Sequence, residues 1–131
     1  MARILIADDR ESMRTALKLL FMTRPHWEIC GEATDGREAV AMASELQPDV
    51  IVLDFRMPPW DGLQAASEIS NSMPSTPIVM YTLYKSLELE VAAKLAGVRR
   101  LVGKEDGIQT LLATIEAELV AQKYQEKSEQ S

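Results

Sequence analysis

Three aspartates stand where two short apolar runs end. Ile4 to Ala7 leads directly into Asp8 and Asp9, and Val50 to Leu53 leads into Asp54. A short apolar run closed by an acidic residue reads as a buried parallel strand whose C-terminal end carries the side chain that does chemistry. Ligand sites of open α/β sheets lie in the crevice outside those carboxyl ends, so two such strands side by side bring three carboxylates into one crevice. Carboxylates that close disfavour one another's charge, and a hard divalent cation with oxygen ligands is their natural neutraliser. The plainer alternative, acids favoured by the dipole at a helix N-terminus, accounts for one of Asp8 and Asp9 but leaves Asp54 unexplained.

The elements that must position these acids follow from apolar periodicity. Strands are predicted at Arg3–Ala7, Trp27–Ala33, Asp49–Asp54, Pro77–Tyr81 and Arg99–Gly103. Between and after them lie five helical patterns. Met13, Ala16, Leu17, Leu20 and Phe21 make one stripe, and Ile108, Leu111, Leu112, Ile115 and Leu119 another. The middle helices have smaller faces: Ala39, Val40, Ala43 and Leu46; Leu63, Ala66 and Ile69; and Leu87, Val91 and Leu95. Asp35-Gly36, Asp61-Gly62 and Asp106-Gly107 each set a capping or turn pair ahead of a helix, and Gly97 follows one. Five βα units with right-handed crossovers predict an α/β fold, a parallel sheet with helices on both faces.

Composition narrows the function. The 131 residues, 47% of them hydrophobic, are enough for one domain with a sizeable core. A net charge of −6 argues against a grip on nucleic acid by this chain's own surface, which needs clustered Lys and Arg, so a DNA-binding role would need a further domain. No run is long enough for a signal-peptide core or a membrane span, so a cytoplasmic protein is expected. The lone Cys30 reads as an inert thiol within a strand and the lone His26 as a surface residue, and no zinc site can be assembled from them. Residues 1–122 form the predicted domain, and 123–131, with Tyr124 as the sole apolar side chain, a polar tail or linker.

The acids, taken with Phe55-Arg56-Met57-Pro58 after Asp54, Thr82 after the fourth strand and Lys104 after the fifth, make the chain resemble a receiver domain of a bacterial two-component response regulator. The resemblance spans residue 3 to about residue 120. It implies a flavodoxin-like doubly wound sheet in the order 2-1-3-4-5. It further implies phosphorylation of Asp54, with Mg2+ held by Asp9, Asp54 and the Arg56 backbone carbonyl while Asp8 acts through water. Lys104 and Thr82 would then contact the phosphoryl group. A sensor histidine kinase or phosphotransfer protein is the implied donor. The fourth helix, fifth strand and fifth helix are the implied surface for an effector or a second copy, with no nucleic acid or membrane contacted directly.

Several positions depart from that family's pattern. Leu101 stands where an aromatic is usual, three residues before the lysine, which leaves Tyr84, two residues after Thr82, as the candidate substitute. Glu105 rather than Pro follows Lys104, so a trans bond is expected there. Leu83 replaces a small residue and either crowds the approach to Asp54 or packs under the fourth helix. Pro58-Pro59-Trp60 implies a stiff loop with Trp60 near the site. Other readings are a receiver fragment of a DNA-binding regulator, or a haloacid-dehalogenase-like phosphatase. The latter wants a second Asp two residues after its nucleophile, where this chain has Arg56. A flavodoxin-like nucleotide binder would need a Gly, Ser or Thr-rich phosphate loop in place of Asp8-Asp9.

Overall fold

The computed structural model describes the backbone of residues 1–130 and the side chains as far as Gln125. Elements alternate without exception: β1 (Ala2–Ala7), α1 (Glu11–Phe21), β2 (Trp27–Ala33), α2 (Gly36–Leu46), β3 (Val50–Leu53), α3 (Gly62–Ser72), β4 (Ile78–Thr82), α4 (Leu87–Leu95), β5 (Arg100–Gly103) and α5 (Ile108–Gln130). One 3-10 turn, Lys104–Asp106, separates β5 from α5. The five strands form one parallel sheet in the order β2-β1-β3-β4-β5, as expected.

Alternation along the strands divides the core in two. Leu5, Ile51, Leu53, Ile78 and Met80 face α2, α3 and α4, where Ala39, Ala43, Ala65, Ala66, Ile69 and Ala93 let the helices approach closely. Ile4, Ile6, Val50, Val52, Val79 and Tyr81 face α1 and α5, packed by Leu17, Phe21, Leu111, Leu112 and Ile115. The central strands β1, β3 and β4 are buried on both faces, which is why they read as continuous apolar runs. Asp35 and Asp61 cap α2 and α3 by accepting the N–H groups of Glu38 and Gln64, as their pairing with glycine predicted.

One expectation is corrected. The apolar face assigned to α4 is the exposed one: Leu87, Val91 and Leu95 are 77, 62 and 85% exposed, while Leu89 and Ala93 are buried. This helix carries apolar residues on both faces, so periodicity alone does not choose between them. The choice is made by its ends. Ser86 caps the start through the Leu89 N–H, and Gly97, at φ +96°, turns the chain into the buried Val98. The polar segment that follows residue 122 continues α5 as helix to Gln130. Gln122, Lys123, Gln125, Glu126 and Lys127 are good helix formers and no glycine or proline interrupts them. Ser131 lies outside the described residues.

The α4 assignment has a direct check by urea unfolding. Leu95→Glu should change stability by less than about 0.5 kcal/mol, whereas Leu89→Ala should cost about 2–4 kcal/mol. The opposite ranking would restore the face read from periodicity.

Candidate functional site

Parallel pairing delivers the acids to one place. Ala7 stands beside Leu53 in the ladder, and the next hydrogen bonds, Asp54 N–H to Ala7 O at 2.9 Å and Asp8 N–H to Ala33 O at 3.1 Å, carry the pairing one residue beyond the strands. Asp8 and Asp54 therefore sit side by side, 2 and 6% exposed, with Asp9 on the open side. One oxygen from each of Asp8, Asp9 and Asp54 lies within 4.8 Å of the others. A purely carboxylate set at this spacing suits an oxygen-seeking cation such as Mg2+, which keeps part of its water shell. The residues fit that ion.

Lys104, almost buried itself, reaches in from the end of β5. Its Nζ is 3.3 Å from Asp8 Oδ2, 3.6 Å from Asp54 Oδ2 and 5.6 Å from the centre of the Tyr81 ring. One ammonium thus stands against two of the three carboxylates. Burial first, and then the neighbouring Asp8 charge, push the Asp54 carboxyl up to about 6, against the lowering effects of Lys104 and the Phe55 N–H. That N–H donates to Asp54 Oδ1 at 2.8 Å and holds the side chain in place. Asp8 is braced differently. Its Oδ1 accepts the Arg10 N–H at 2.9 Å, with the Arg10 guanidinium 3.7 Å away, and its carbonyl accepts Arg14 Nη1 at 2.8 Å. Arg10, not either aspartate, occupies the N-cap of α1, so capping does not account for the pair.

A cleft of about 230 Å³ opens over Asp54, lined by Asp9, Arg10, Arg56, Pro58, Leu83, Tyr84 and Lys104. Thr82 is fully buried at the end of β4, and its Oγ1 accepts the Tyr84 N–H at 3.1 Å. Every residue read from sequence as part of the site, Asp8, Asp9, Asp54, Arg56, Thr82 and Lys104, thus stands at the C-terminal ends of β1, β3, β4 and β5. Gly62 closes the floor. Its N–H donates to Phe55 O at 2.6 Å, and a Cβ at this position would run into the Asp54 carbonyl oxygen, so no other residue fits without moving the loop after Asp54.

Of the departures, Leu83 is half-exposed on the cleft wall and belongs to neither core cluster, so it does not pack under α4. Leu101 packs against the core facing α2 to α4. Tyr84 lies edge-on to Phe55, its ring centre 6.4 Å away, with the Arg56 guanidinium 4.4 Å above its own ring. Trp60 falls outside the cleft lining: it lies over Gly36, with Arg37 5.3 Å from its ring. Among the described residues the one cis peptide bond is Pro58–Pro59, so the bond after Lys104 is trans. Cys30 sits where the β1–β2 register shifts, and burial pushes its thiol up, away from reactivity. The contributions of Arg10, Arg14 and Tyr81 escaped sequence reading. Only Tyr81 had a signal there, its alternation with Val79.

The family model for the response regulator receiver domain matches residues 4–116, and the chain belongs to that family. It is 37% identical over 117 residues to the transcriptional regulatory protein YdfI of Bacillus subtilis, a match that covers 89% of this chain and 54% of that protein. It is 36% identical over 102 residues to the chemotaxis protein CheY of Thermotoga maritima, covering 78% of this chain and 84% of CheY. Among solved structures, the receiver domain of Thermotoga maritima CheB superposes with a TM-score of 0.84 at 30% identity, over 91% of this chain and 96% of that one. A LuxR-family response regulator from an Aurantimonas species gives 0.89 at 29% identity, over 92 and 86%. The chain spans about half the length of the first curated relatives it matches, which are transcriptional regulatory proteins. Among the described residues no helix is long and apolar enough to cross a membrane.

The raised Asp54 pKa has a consequence for the metal-free protein. The folded state holds this proton more tightly than the unfolded state, so the group's contribution to stability is present below about pH 4 and is lost as pH rises through about 6. Asp54→Asn removes that loss and should stabilise the protein at pH 7 by about 1–3 kcal/mol. Urea unfolding in chelator at pH 4.5 and 7 measures it, and identical pH slopes in both proteins would refute the coupling.

Proposed function

We propose that this receiver domain takes one phosphoryl group on Asp54, in a Mg2+-dependent reaction, from a sensor histidine kinase or a phosphotransfer protein. The observation that carries the reading is a buried carboxylate, flanked by two others and one ammonium, at the floor of a cleft open to a donor. The bond formed joins an Asp54 carboxylate oxygen to phosphorus as the bond from phosphorus to the donor nitrogen breaks. Such a transfer asks little of the protein beyond alignment and charge compensation. Asp9, Asp54 and the Arg56 carbonyl would hold Mg2+, with Asp8 acting through water, and the ion would supply neutralisation of the phosphoryl oxygens. Lys104 offers its ammonium to the same oxygens. Thr82, whose oxygen accepts from Tyr84, keeps its own proton free to donate to the group once it is attached.

Output on this reading runs through α4. Leu87, Val91 and Leu95 form an exposed apolar stripe on the helix that follows the Thr82 loop, and a partner that buries it gains from the hydrophobic effect. Such a surface suits an effector or a second copy of the chain. Control of an attached DNA-binding domain is a second reading, favoured by the transcriptional regulators among the relatives. A phosphotransfer pathway fed by a kinase places the domain in the cytoplasm.

Incubation with acetyl phosphate and Mg2+ should add one phosphate by intact mass. Asp54→Asn should abolish the adduct, Asp9→Ala should abolish its Mg2+ dependence, and Asp8→Asn should weaken it. An undiminished adduct in Asp54→Asn defeats the assignment, and repeated release of phosphate from unrelated esters would indicate a phosphatase.

The position of Leu83 on the cleft wall bears on how long the phosphate stays. Water must approach phosphorus opposite Asp54, and an apolar side chain there both obstructs the path and offers no hydrogen bond. Leu83→Ala should speed loss of phosphate by up to about tenfold, corresponding to about 1.4 kcal/mol of barrier. Equal dephosphorylation rates at saturating Mg2+ would remove Leu83 from that role.

A further inference from the structure

Asp106, in the capping or turn pair ahead of α5, turns its carboxylate back toward β5 rather than onto the helix. Oδ2 accepts the Gly103 N–H at 2.9 Å and Lys85 Nζ at 2.9 Å. Gly103 immediately precedes Lys104, and Lys85 follows Thr82 by three residues. The β4–β5 ladder ends at the pair Thr82 and Gly103. Beyond that pair, among the described residues, the hydrogen bond from Lys85 to Asp106 is the one link between the two loops. A single carboxylate oxygen therefore ties the loop that carries the hydroxyl to the loop that carries the ammonium.

We propose that Asp106, with Lys85, is a positioning pair that couples the placement of Lys104 to that of Thr82 during phosphoryl transfer; this rests on the acceptor reading of Asp54 given above. The Gly103 arm fixes the backbone from which Lys104 projects toward Asp8 and Asp54. The Lys85 arm fixes the far end of the segment that begins at Thr82, whose hydroxyl already holds the Tyr84 N–H. When Thr82 turns toward a phosphoryl group, the segment 82–85 transmits that turn through the carboxylate to the residue next to Lys104. Each partner also favours the other's charged form: the bond from Lys85 and then that from Gly103 hold the Asp106 carboxyl below its ordinary range, and Asp106 raises Lys85.

The pair is accessible to solvent, so its influence on rate should be modest and sensitive to salt. Phosphorylation of the intact chain by acetyl phosphate at saturating Mg2+ tests it. Lys85→Gln and Asp106→Asn should each slow uptake about threefold, and Asp106→Ala, which also removes the acceptor for Gly103, should slow it further. The Lys85→Gln/Asp106→Asn double variant should be no slower than either single one. The wild-type advantage over Lys85→Gln should vanish between about 0.05 M and about 1 M NaCl. The Gly103 amide proton resonance should keep its position in Asp106→Asn and move in Asp106→Ala. Losses that add in the double variant, or unchanged uptake in Lys85→Gln and Asp106→Ala alike, overturn the clamp while leaving the acceptor in place. A wild-type chain that takes up no phosphate overturns the acceptor reading itself.

Discussion

The repulsion between Asp8 and Asp54 is the constraint around which the molecule is arranged. Backbone pairing between β1 and β3 forces the two carboxylates together, buried, at a point where neither is free to turn to water. Desolvation and like charge both disfavour their double ionisation. The surrounding groups are placed against that cost: Lys104 from β5, the Arg10 and Phe55 amides, and the Arg10 guanidinium all face one or other acid. Charge remains in excess, which gives a divalent cation a strong reason to bind. The fold thus holds its site in a state that a cation relieves, and its sheet, packed on both faces, supplies the rigidity to do so.

Much of this was legible in the chain because β1 and β3, the strands that feed the three acids, are buried apolar runs with abrupt acidic ends. Burial on both faces writes itself into sequence as uninterrupted Ile, Leu and Val, and the residue that follows must be the one exposed to the crevice. Asp8, Asp9 and Asp54 could therefore be placed before any coordinates, whereas Thr82 and Lys104 were picked out by the resemblance to receiver domains. The face of α4 was not legible, since Leu87 and Leu89 compete for the core and the decision rests on Ser86, Gly97 and the closeness that Ala93 permits. Helix beyond residue 122 was hidden by polarity, although polarity does not oppose helix where Glu, Gln and Lys supply it.

Side-chain bridges between loops were the least legible part. Nothing in the spacing of Lys85 and Asp106, 21 residues apart, indicates that they meet, nor does adjacency in sequence place Arg56 over the Tyr84 ring. These contacts depend on how far each loop rises above the sheet. Trp60 makes the same point in reverse: six residues from Asp54 in sequence, it turns away to cover Gly36.

Replacement of an aromatic by Leu101 then has a structural counterpart. Leu101 packs into the core beneath α4 and offers no hydroxyl to exchange between solvent and interior. The aromatic on the β4–α4 loop is instead Tyr84, whose ring lies against Phe55 and Arg56 on the loop after Asp54 and whose amide is bonded to Thr82. A turn of the Thr82 hydroxyl toward Asp54 must break that amide bond or carry Tyr84 with it, and Ser86, two residues on, caps α4. The segment from Thr82 to Ser86 is thus fastened at the loop after Asp54, at Asp106 and at the helix start. On the proposed reading, a movement at Thr82 has a direct covalent route to the exposed stripe of α4 through residues 83–86, and Leu101 supplies no ring to carry it.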